Sequence, residues 1–495
     1  MSSAIVVGSG PNGLSCAAIL AKRGVEVTVI EAEDRIGGGT RSSELTVPGL
    51  LHDECSATHP MAVSAPATLE LERYGLEWAW PEVDLAHPLD GGRGATMLRS
   101  LEATAAGLGE GGARWRQIFG PPSRGYEPLT EDIYHPFIHL PRHPLRLLRF
   151  GLPAAAPATL LARAMGTPEA AALFGGVAAH AYARLDRPLS SSIGMALIAA
   201  GHAHGWPVAK GGSVAIADAF AAVIAEHGGR IETGRRVRSL AELPRADAVV
   251  LDLSPRGVLE LAGERLPSRS ARAYRRYKHG PAAFKLDLAV EGGVPWAYEP
   301  ARRAGTVHVG GSFEEVAFAE REINRGRMPE RPFLLVAQQY LADPQRSRGD
   351  LHPVWAYAHV PNGYSDDATE AMLDQIERFA PGLRERIVAT SVRTPAEIEA
   401  ANANFVGGDI LTGANTPLQT LVRPRATLVP YWTGIPGVFI CSAATPPGAG
   451  AHGINGFNAA EAVLRSLGRA VPDGRPLSLD AIGRRLGRSL PLSHV

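Results

Sequence analysis

The chain has 495 residues, 45% of them hydrophobic, and its 50 basic and 50 acidic side chains cancel in formal charge at pH 7. This length predicts roughly two or three domains with sizeable cores, and the charge balance argues against a general affinity for nucleic acid. No run approaches the roughly 18 uninterrupted apolar residues of a membrane span, and the first residues lack a secretory-signal pattern, so we expect a cytoplasmic protein. Cys16, Cys55 and Cys441 have no paired spacing, which predicts neither a disulfide framework nor a metal site.

The first predicted elements are a strand, a glycine turn and a helix. The apolar run at residues 5–7 leads into "GSGPNG", and "LSCAAILAKRG" then places apolar residues at helical spacing. A second strand, "VEVTVIE", ends in Glu31. In dinucleotide folds an acidic residue about 20 residues after the glycine motif binds the ribose, and Glu31 lies near that distance. The glycines let the backbone approach a pyrophosphate, and the helix N-terminus supplies free N–H groups. This order predicts a dinucleotide site whose candidate residues are Gly8, Gly10, Pro11, Asn12, Gly13 and Glu31.

Two later glycine motifs have different surroundings. Residues 107–112 follow the helical pattern "LEATAAG", with no strand before them and no acid-ended strand after them, so they predict a helix end and a loop. Because this removes the second nucleotide-site candidate, we expect no tight NAD(P)H binding. Residues 448–453 follow the strand "GVFIC" and precede the helix "FNAAEAVLRSLG". They predict a helix N-terminus that faces an anionic or electron-rich group.

Three further stretches carry a family likeness. "AEDRIGGGTRS" follows the acid-ended strand, "GWPVAKGGS" opens a helix-and-strand segment at residues 205–240, and "NFVGGDILTG" leads towards "TGIPGVFICSAATPPGAGAHGINGFNAAEAVL". With the first motif, they resemble the FAD-dependent phytoene desaturase-like superfamily, which includes carotenoid desaturases and retinol saturase and is related to the flavin amine oxidases. The resemblance covers nearly the whole chain, although Ser442 and Ala449 depart from the glycine-rich pattern usual in carotenoid desaturases.

The resemblance implies an α/β fold with a glutathione-reductase-type, Rossmann-like FAD-binding domain that is discontinuous in sequence. We expect this domain at residues 1–85, 205–283 and 405–495. An α+β substrate domain, called the cap below, is expected at residues 86–204 and 284–404. The substrate is expected between the two domains, where cofactor pockets usually lie.

The resemblance also implies FAD as the cofactor, bound without covalent attachment. In such proteins the turn after the acidic strand completes flavin binding, the strand that carries Val237 passes the adenine through its backbone, and the last helix begins at the isoalloxazine ring. The residues placed at FAD on this basis are Ala32, Gly38, Gly39, Thr40, Arg41, Val237, Ser254, Ser442, Ala443, Gly453, Ile454 and Asn455.

Two histidines are the catalytic candidates. His59 follows the segment that lines the flavin in this superfamily, with Asp53 just upstream, and a neutral imidazole there could relay a proton. A structural, hydrogen-bonded histidine explains the same residue equally well. His452 lies in the last glycine motif, where a hydrogen bond that orients the ligand is favoured over proton transfer. No metal ligand is predicted.

Two charged residues alternate with apolar ones in "AAFKLDLAV", so Lys285 and Asp287 share one face of a predicted strand. A flavin-facing lysine that holds a water near N5 occurs in the related amine oxidases. An ordinary surface ion pair explains the same alternation, and it is the favoured interpretation.

A basic, apolar stretch lies at residues 135–153, "HPFIHLPRHPLRLLRFGLP", with arginines among leucines at helical spacing. Such a segment can rest on a membrane and admit a lipophilic substrate. Its prolines shorten any helix, which favours a lid over an internal pocket.

Three functions follow from these expectations. The first is an FAD-dependent oxidoreductase that desaturates, saturates or isomerises a C–C bond of a small lipophilic or isoprenoid-like substrate by hydride transfer to or from flavin N5. The second is a flavin amine or amino-acid oxidase, which needs an aromatic pair or an arginine aimed at the flavin. The third is a non-enzymatic scaffold stabilised by FAD.

Overall fold

The computed structural model describes residues 2–63 and 69–469. Its strands are β1 (Ser3–Val7), β2 (Glu26–Ile30), β3 (Ser42–Ser43), β4 (His52–Asp53), β5 (Trp78–Ala79), β6 (Val83–Leu89), β7 (Arg93–Met97), β8 (Val208–Ala209), β9 (Arg230–Glu232), β10 (Ala248–Leu251), β11 (Ala282–Glu291), β12 (Ala304–Val309), β13 (Leu334–Ala337), β14 (Leu351–Val360), β15 (Ile387–Arg393) and β16 (Val438–Ile440). Its helices are α1 (Pro11–Lys22), α2 (Leu101–Gly107), α3 (Gly112–Arg124), α4 (Tyr126–Ile133), α5 (Pro144–Ala155), α6 (Ala158–Arg163), α7 (Pro168–Ala179), α8 (Ser192–His204), α9 (Val214–Glu226), α10 (Pro255–Ala262), α11 (Ser268–Arg275), α12 (Phe313–Ile323), α13 (Thr369–Glu377), α14 (Leu383–Arg386), α15 (Pro395–Ala401), α16 (Pro417–Leu421) and α17 (Ile454–Ser466).

A parallel sheet forms the first half of the architecture. Its strand order is β16, β10, β1, β2 and β9, and all neighbours are parallel. Successive residues of β1 point to opposite faces, so Val6 packs with α1, α9 and α17 while Ile5 and Val7 pack with α10 and α11. Both faces are therefore covered, as parallel sheets require. The carboxyl ends of the strands meet at one edge, where open α/β folds bind ligands.

A mixed seven-stranded sheet forms the second half. Its order is β15, β11, β14, β13, β12, β6 and β7, with β6 and β12 parallel and the other neighbours antiparallel. One face packs against α3, α7 and α8 through Trp115, Phe174 and Met195. The other face packs against α13 through Met372 and Ile376. This confirms an α/β fold that contains a Rossmann-like domain and a second, mixed domain.

The strands of the parallel sheet all lie within the segments expected for the FAD-binding domain, whereas β6 crosses the expected boundary at residue 85 and β11 begins just before residue 284. Residues 64–68 and 470–495 of the expected domain lie outside the described residues. The glycine motif at residues 107–112, called the decoy motif below, separates α2 from α3, as the sequence predicts. Within the described residues, none of the helices has the length and apolarity that crossing a bilayer requires.

Candidate active site

A cavity of about 790 Å³ lies between the carboxyl edge of the parallel sheet and the cap. This size falls within the roughly 300–1,000 Å³ typical of small-molecule sites. The predicted site residues that line the cavity are Gly10, Pro11, Asn12, Gly39, Thr40, His59, Ser442, Ala443 and His452. The predicted site residues that do not line it are Gly8, Gly13, Glu31, Ala32, Gly38, Arg41, Val237, Ser254, Gly453, Ile454 and Asn455.

The glycine turn between β1 and α1 leaves no room for side chains. A Cβ on Gly13 would lie 2.3 Å from the Gly8 carbonyl oxygen, and a Cβ on Gly10 would lie 2.6 Å from Oδ2 of Asp252. Gly8 also has a φ of +98°, a conformation that favours glycine. The turn therefore exposes bare backbone and the start of α1 to the cavity, which fits the binding of a phosphate group.

Asp252 is a site residue that the sequence analysis missed. It follows β10 and lines the cavity, and its Oδ2 accepts a hydrogen bond from the Gly13 N–H at 3.0 Å. Gly10 precedes α1 without a side-chain cap of its own, so Asp252 caps the helix from another strand. Burial raises the pKa of Asp252 to about 6, and the nearby Glu31 carboxylate adds to the shift. The signal was available, since the residue after a parallel strand points to the binding edge.

Glu31 lies at the end of β2, as predicted, and its carboxylate is held by the protein. Oε2 accepts hydrogen bonds from the Ser9 N–H at 2.8 Å and the Ser9 hydroxyl at 2.5 Å, and Oε1 accepts one from the Glu33 N–H at 2.9 Å. Val237 corrects a prediction, because it lies in an irregular segment after β9 rather than in a strand. It packs in the apolar cluster of β10 and α10.

The turn at residues 37–41 approaches the glycine turn closely. A Cβ on Gly38 would lie 3.0 Å from the Gly10 Cα. Arg41 donates hydrogen bonds to the carbonyls of Arg35 at 2.7 Å and Ile36 at 3.3 Å. The guanidinium of Arg41 therefore holds the shape of this turn, while Gly39 and Thr40 contribute the surface that lines the cavity.

Asn404 closes the edge of β10; it begins the family-like stretch at residues 404–413, but the sequence analysis did not place it at the site. Asn404 accepts a hydrogen bond from the Ser254 N–H at 2.7 Å and donates one to the Asp252 carbonyl at 2.9 Å. The Ser254 hydroxyl caps α10 by accepting from the Gly257 N–H at 3.3 Å. Ser254 is thus a structural residue of the edge, and Asn404 is the side chain there that lines the cavity.

The last glycine motif brings His452 to the cavity wall. Nδ1 of His452 accepts a hydrogen bond from the Ile454 N–H at 3.1 Å and so caps the start of α17. Burial lowers the pKa of His452 to about 4, although the Ala449 carbonyl opposes the shift. Asn455 donates to the Thr445 carbonyl at 2.8 Å. The motif therefore presents the loop before Gly453 to the cavity rather than the first turn of α17.

His59 lines the cavity, but its ring nitrogens are already bonded. Nε2 lies 2.9 Å from the Ser213 hydroxyl, which donates its own proton to the Ser56 carbonyl at 2.6 Å. Nε2 therefore donates, and Nδ1, 3.4 Å from the Ser56 hydroxyl, accepts. Burial lowers the pKa of His59 to about 4. This geometry favours the structural interpretation, and proton relay by His59 stays a prediction.

The preferred interpretation of Lys285 is wrong. The Lys285 side chain is only 3% exposed, because β14 and β15 flank β11 and its charged face is covered. Its ammonium forms an ion pair with Asp287 and lies 5.8 Å from the centre of the Trp355 ring. Burial lowers the pKa of Lys285, although Asp287 opposes the shift. The ammonium lines a small recess that shares Cys55 and Trp355 with the main cavity.

Comparisons with known proteins agree with this geometry. Residues 6–70 match the family model of the NAD(P)-binding Rossmann-like domain. The pyridine nucleotide-disulfide oxidoreductase domain-containing protein 2 of Rattus norvegicus is 23% identical, over 94% of this chain and 93% of the relative.

Two solved structures have a similar fold along almost their whole length. An oxidoreductase from Methanosarcina mazei superposes with a TM-score of 0.61 at 15% identity, covering 94% of this chain and 100% of the other. Cyclohexylamine oxidase from Brevibacterium oxydans superposes with a TM-score of 0.55 at 16% identity, with coverage of 94% and 100%. The chain therefore has an α/β fold with a Rossmann-like domain, similar to the fold of these oxidoreductases. The names of these relatives do not include a carotenoid desaturase, so that part of the resemblance stays a prediction.

Proposed function

We propose that this protein is an FAD-dependent oxidoreductase that desaturates, saturates or isomerises a C–C bond of a lipophilic substrate. The observation that carries the proposal is the continuity of one cavity from the glycine turn to an apolar wall of the cap. FAD, when bound, supplies the acceptor or donor of a hydride. The apolar side chains that line the cavity include Met61, Ile133, Leu147, Phe150, Leu189, Ile193, Leu197, Ile410 and Leu411.

The residues present fit FAD. The backbone at Gly10 and Asn12 offers a surface for phosphate, and the segment from Ser442 to His452 lines the other side of the cavity. Because Nδ1 of His452 accepts from Ile454, Nε2 carries the proton and lies buried without a partner of good geometry among the described residues. This N–H suits a hydrogen bond to a flavin heteroatom.

The chain's own groups near the cavity would position the substrate and exclude water. His59 and Asp132 line the wall, but their polar atoms already form hydrogen bonds within the protein. His59 bonds to Ser213, and Asp132 accepts from the backbone N–H groups of Arg142 at 2.8 Å and His143 at 3.0 Å. The wall is therefore apolar in effect, which favours a neutral, lipophilic substrate over a charged one.

An amine oxidase is the second candidate. Trp355 and Tyr357 line the cavity with ring centres 4.8 Å apart and planes at 87°. They form the kind of aromatic pair that this function needs, and Lys285 lies beneath Trp355 as a candidate flavin-facing lysine. The similarity to cyclohexylamine oxidase adds weight to this candidate.

An anaerobic titration of the FAD-loaded protein distinguishes the two candidates. We expect fractions of a lipid extract to bleach the flavin absorbance and a panel of amines and amino acids to leave it unchanged. Bleaching by an amine and not by lipid would replace the first candidate with the second. A flavin that dithionite reduces but no substrate reaches would support a scaffold.

The cap also suggests how a lipophilic substrate enters. Leu145 and Leu152, 71% and 68% exposed, form with Leu148 an outward ridge on α5, called the leucine ridge. Leu148 and Leu152 also line the cavity, so the ridge lies at its mouth. Arg149 is exposed beside it, without an ion-pair partner among the described residues. We propose that the leucine ridge rests on an anionic lipid surface, because exposed leucines beside a free arginine match lipid tails and headgroups.

A further inference from the structure

Three histidines form a cluster in the cap, away from the glycine turn, and two of them, His87 and His308, are fully buried. His87 lies on β6, His308 lies on β12, and His180 follows α7. We call them the histidine row. The Nε2 atoms of His180 and His308 are 2.9 Å apart, and Nε2 of His87 lies 2.7 Å from the Gly311 carbonyl oxygen. Within residues 2–63 and 69–469, no group of His, Cys, Asp and Glu side chains is arranged to hold a metal ion.

Close packing against α7 holds the histidine row together. A Cβ on Gly176 would lie 2.7 Å from Nδ1 of His308 and 2.7 Å from Nδ1 of His87. Neither of these Nδ1 atoms has a hydrogen-bond partner among the described residues. The two rings therefore turn their Nδ1 edges towards the same small space beside the helix.

The Gly311 carbonyl determines which ring nitrogen of His87 is protonated, and this choice affects the other histidines of the row. A carbonyl only accepts, so Nε2 of His87 carries the proton and its Nδ1 is bare. Both Nδ1 atoms face the small space beside Gly176, so an unprotonated Nδ1 on His308 would place two buried lone pairs in that space, which costs free energy in a low dielectric. This favours the tautomer of His308 that is protonated on Nδ1, in which its unprotonated Nε2 accepts from Nε2–H of His180. This leaves Nδ1 of His180 as an acceptor.

His180 is the member of the row that lines the cavity. Its Nδ1 has no hydrogen-bond partner among the described residues, and this atom is not fully buried. We propose that His180 is a ligand-binding residue whose Nδ1 accepts a hydrogen bond from a hydroxyl group of a neutral, lipophilic ligand. The inference rests on the proposed function only for the apolar character of the cavity.

The charge state of the row selects against ionised ligands. Burial lowers the pKa of His180 to about 3 and that of His87 to about 4. Burial, and after it the neighbouring imidazoles, lower the pKa of His308 well below its usual range. All three rings are neutral near pH 7, so a carboxylate finds no cation here. An alcohol fits, because it donates to a neutral acceptor without bringing a charge.

A pair of ligands that differ in one proton tests the inference. Isothermal titration of the FAD-loaded protein with 1-decanol and with its methyl ether compares a donor with a molecule that cannot donate. We expect the wild-type protein to prefer the alcohol about tenfold, the worth of one hydrogen bond. Two variants of nearly identical shape complete the test. His180→Leu should abolish the preference, and His180→Asn, which keeps an acceptor oxygen, should retain most of it.

The outcomes separate this inference from the proposed function. A tenfold preference that persists in His180→Leu would overturn the role of His180, as would equal wild-type affinity for the two ligands. Binding of neither ligand by the wild-type protein would instead overturn the apolar cavity itself. If His180→Leu does not fold, His308→Leu removes the acceptor that orients His180, and an unchanged alcohol preference in that variant would contradict the inference.

Discussion

The glycine turn and the histidine row, through its member His180, both reach the same cavity, but the two regions are built in different ways. The turn is made of consecutive residues, and its shape requires glycines because the neighbouring atoms leave no space for a Cβ. The row joins side chains from distant parts of the chain, with His180 and His308 separated by 128 positions. A site formed by the backbone of consecutive residues can be recognised from their spacing in the sequence. A site formed by side chains from distant positions forms only when the sheets and helices pack together.

The largest expected effect comes from filling the turn. Gly13→Ala should remove nearly all bound FAD, because its Cβ would lie 2.3 Å from the Gly8 carbonyl oxygen. The ratio of flavin absorbance to protein absorbance in the purified variant measures the loss. Gly107→Ala is the matched control from the decoy motif, where a Cβ meets nothing within 4 Å. The control should keep full FAD content, and equal FAD content in both variants would contradict the role of the turn.

The difference between the two regions also explains which features the sequence predicted. The strand, turn and helix around Gly10 were predictable because each element is local. The place of Asp252 after β10 marked it as an edge residue, but its hydrogen bond to Gly13 was not predictable, since the two residues lie 239 positions apart. Lys285 was misread because alternation shows that two charges share a face but not whether that face is covered. Here the covering residues, such as Trp355, come from another strand.

The second effect concerns the charge beside the turn. The raised pKa of Asp252 means that ionisation opposes folding, so this residue destabilises the FAD-free protein as pH rises from about 4 through about 6. Asp252→Asn keeps an acceptor for Gly13 and cannot ionise. The variant should unfold at higher urea than wild type at pH 7, by up to about 3 kcal/mol, with a smaller difference towards pH 4. A difference that is independent of pH between 4 and 7 would show that folding does not raise the pKa of Asp252.

A third effect concerns the mouth of the cavity. Leu145→Glu combined with Arg149→Glu changes the exposed side of α5 and leaves the cavity wall intact. Binding to vesicles of phosphatidylcholine and phosphatidylglycerol, measured by co-sedimentation, should fall about tenfold or more. Phe318→Glu is the control, because Phe318 is 48% exposed on α12. An equal loss of vesicle binding in the control, or no vesicle binding by the wild-type protein, would show that α5 does not bind lipid and serves only as a lid over the cavity.

The smallest effect on the reaction is expected at His59, because both ring nitrogens are bonded to serines. His59→Gln should lower the melting temperature while changing the rate of flavin reduction far less than the 10²–10⁴-fold of a general acid or base. Stopped-flow reduction with the true substrate measures the rate. A loss of about a hundredfold with FAD still bound would restore the proton relay.

The choice of nucleotide tests the central claim most directly. The family match names an NAD(P)-binding domain, whereas the proposed occupant of the cavity is FAD, because the cavity extends from the glycine turn to the segment at Ser442 and His452. Calorimetric titration of the cofactor-free protein should show one FAD bound per chain and no tight binding of NADPH. Tight, stoichiometric binding of NADPH without FAD would contradict the account.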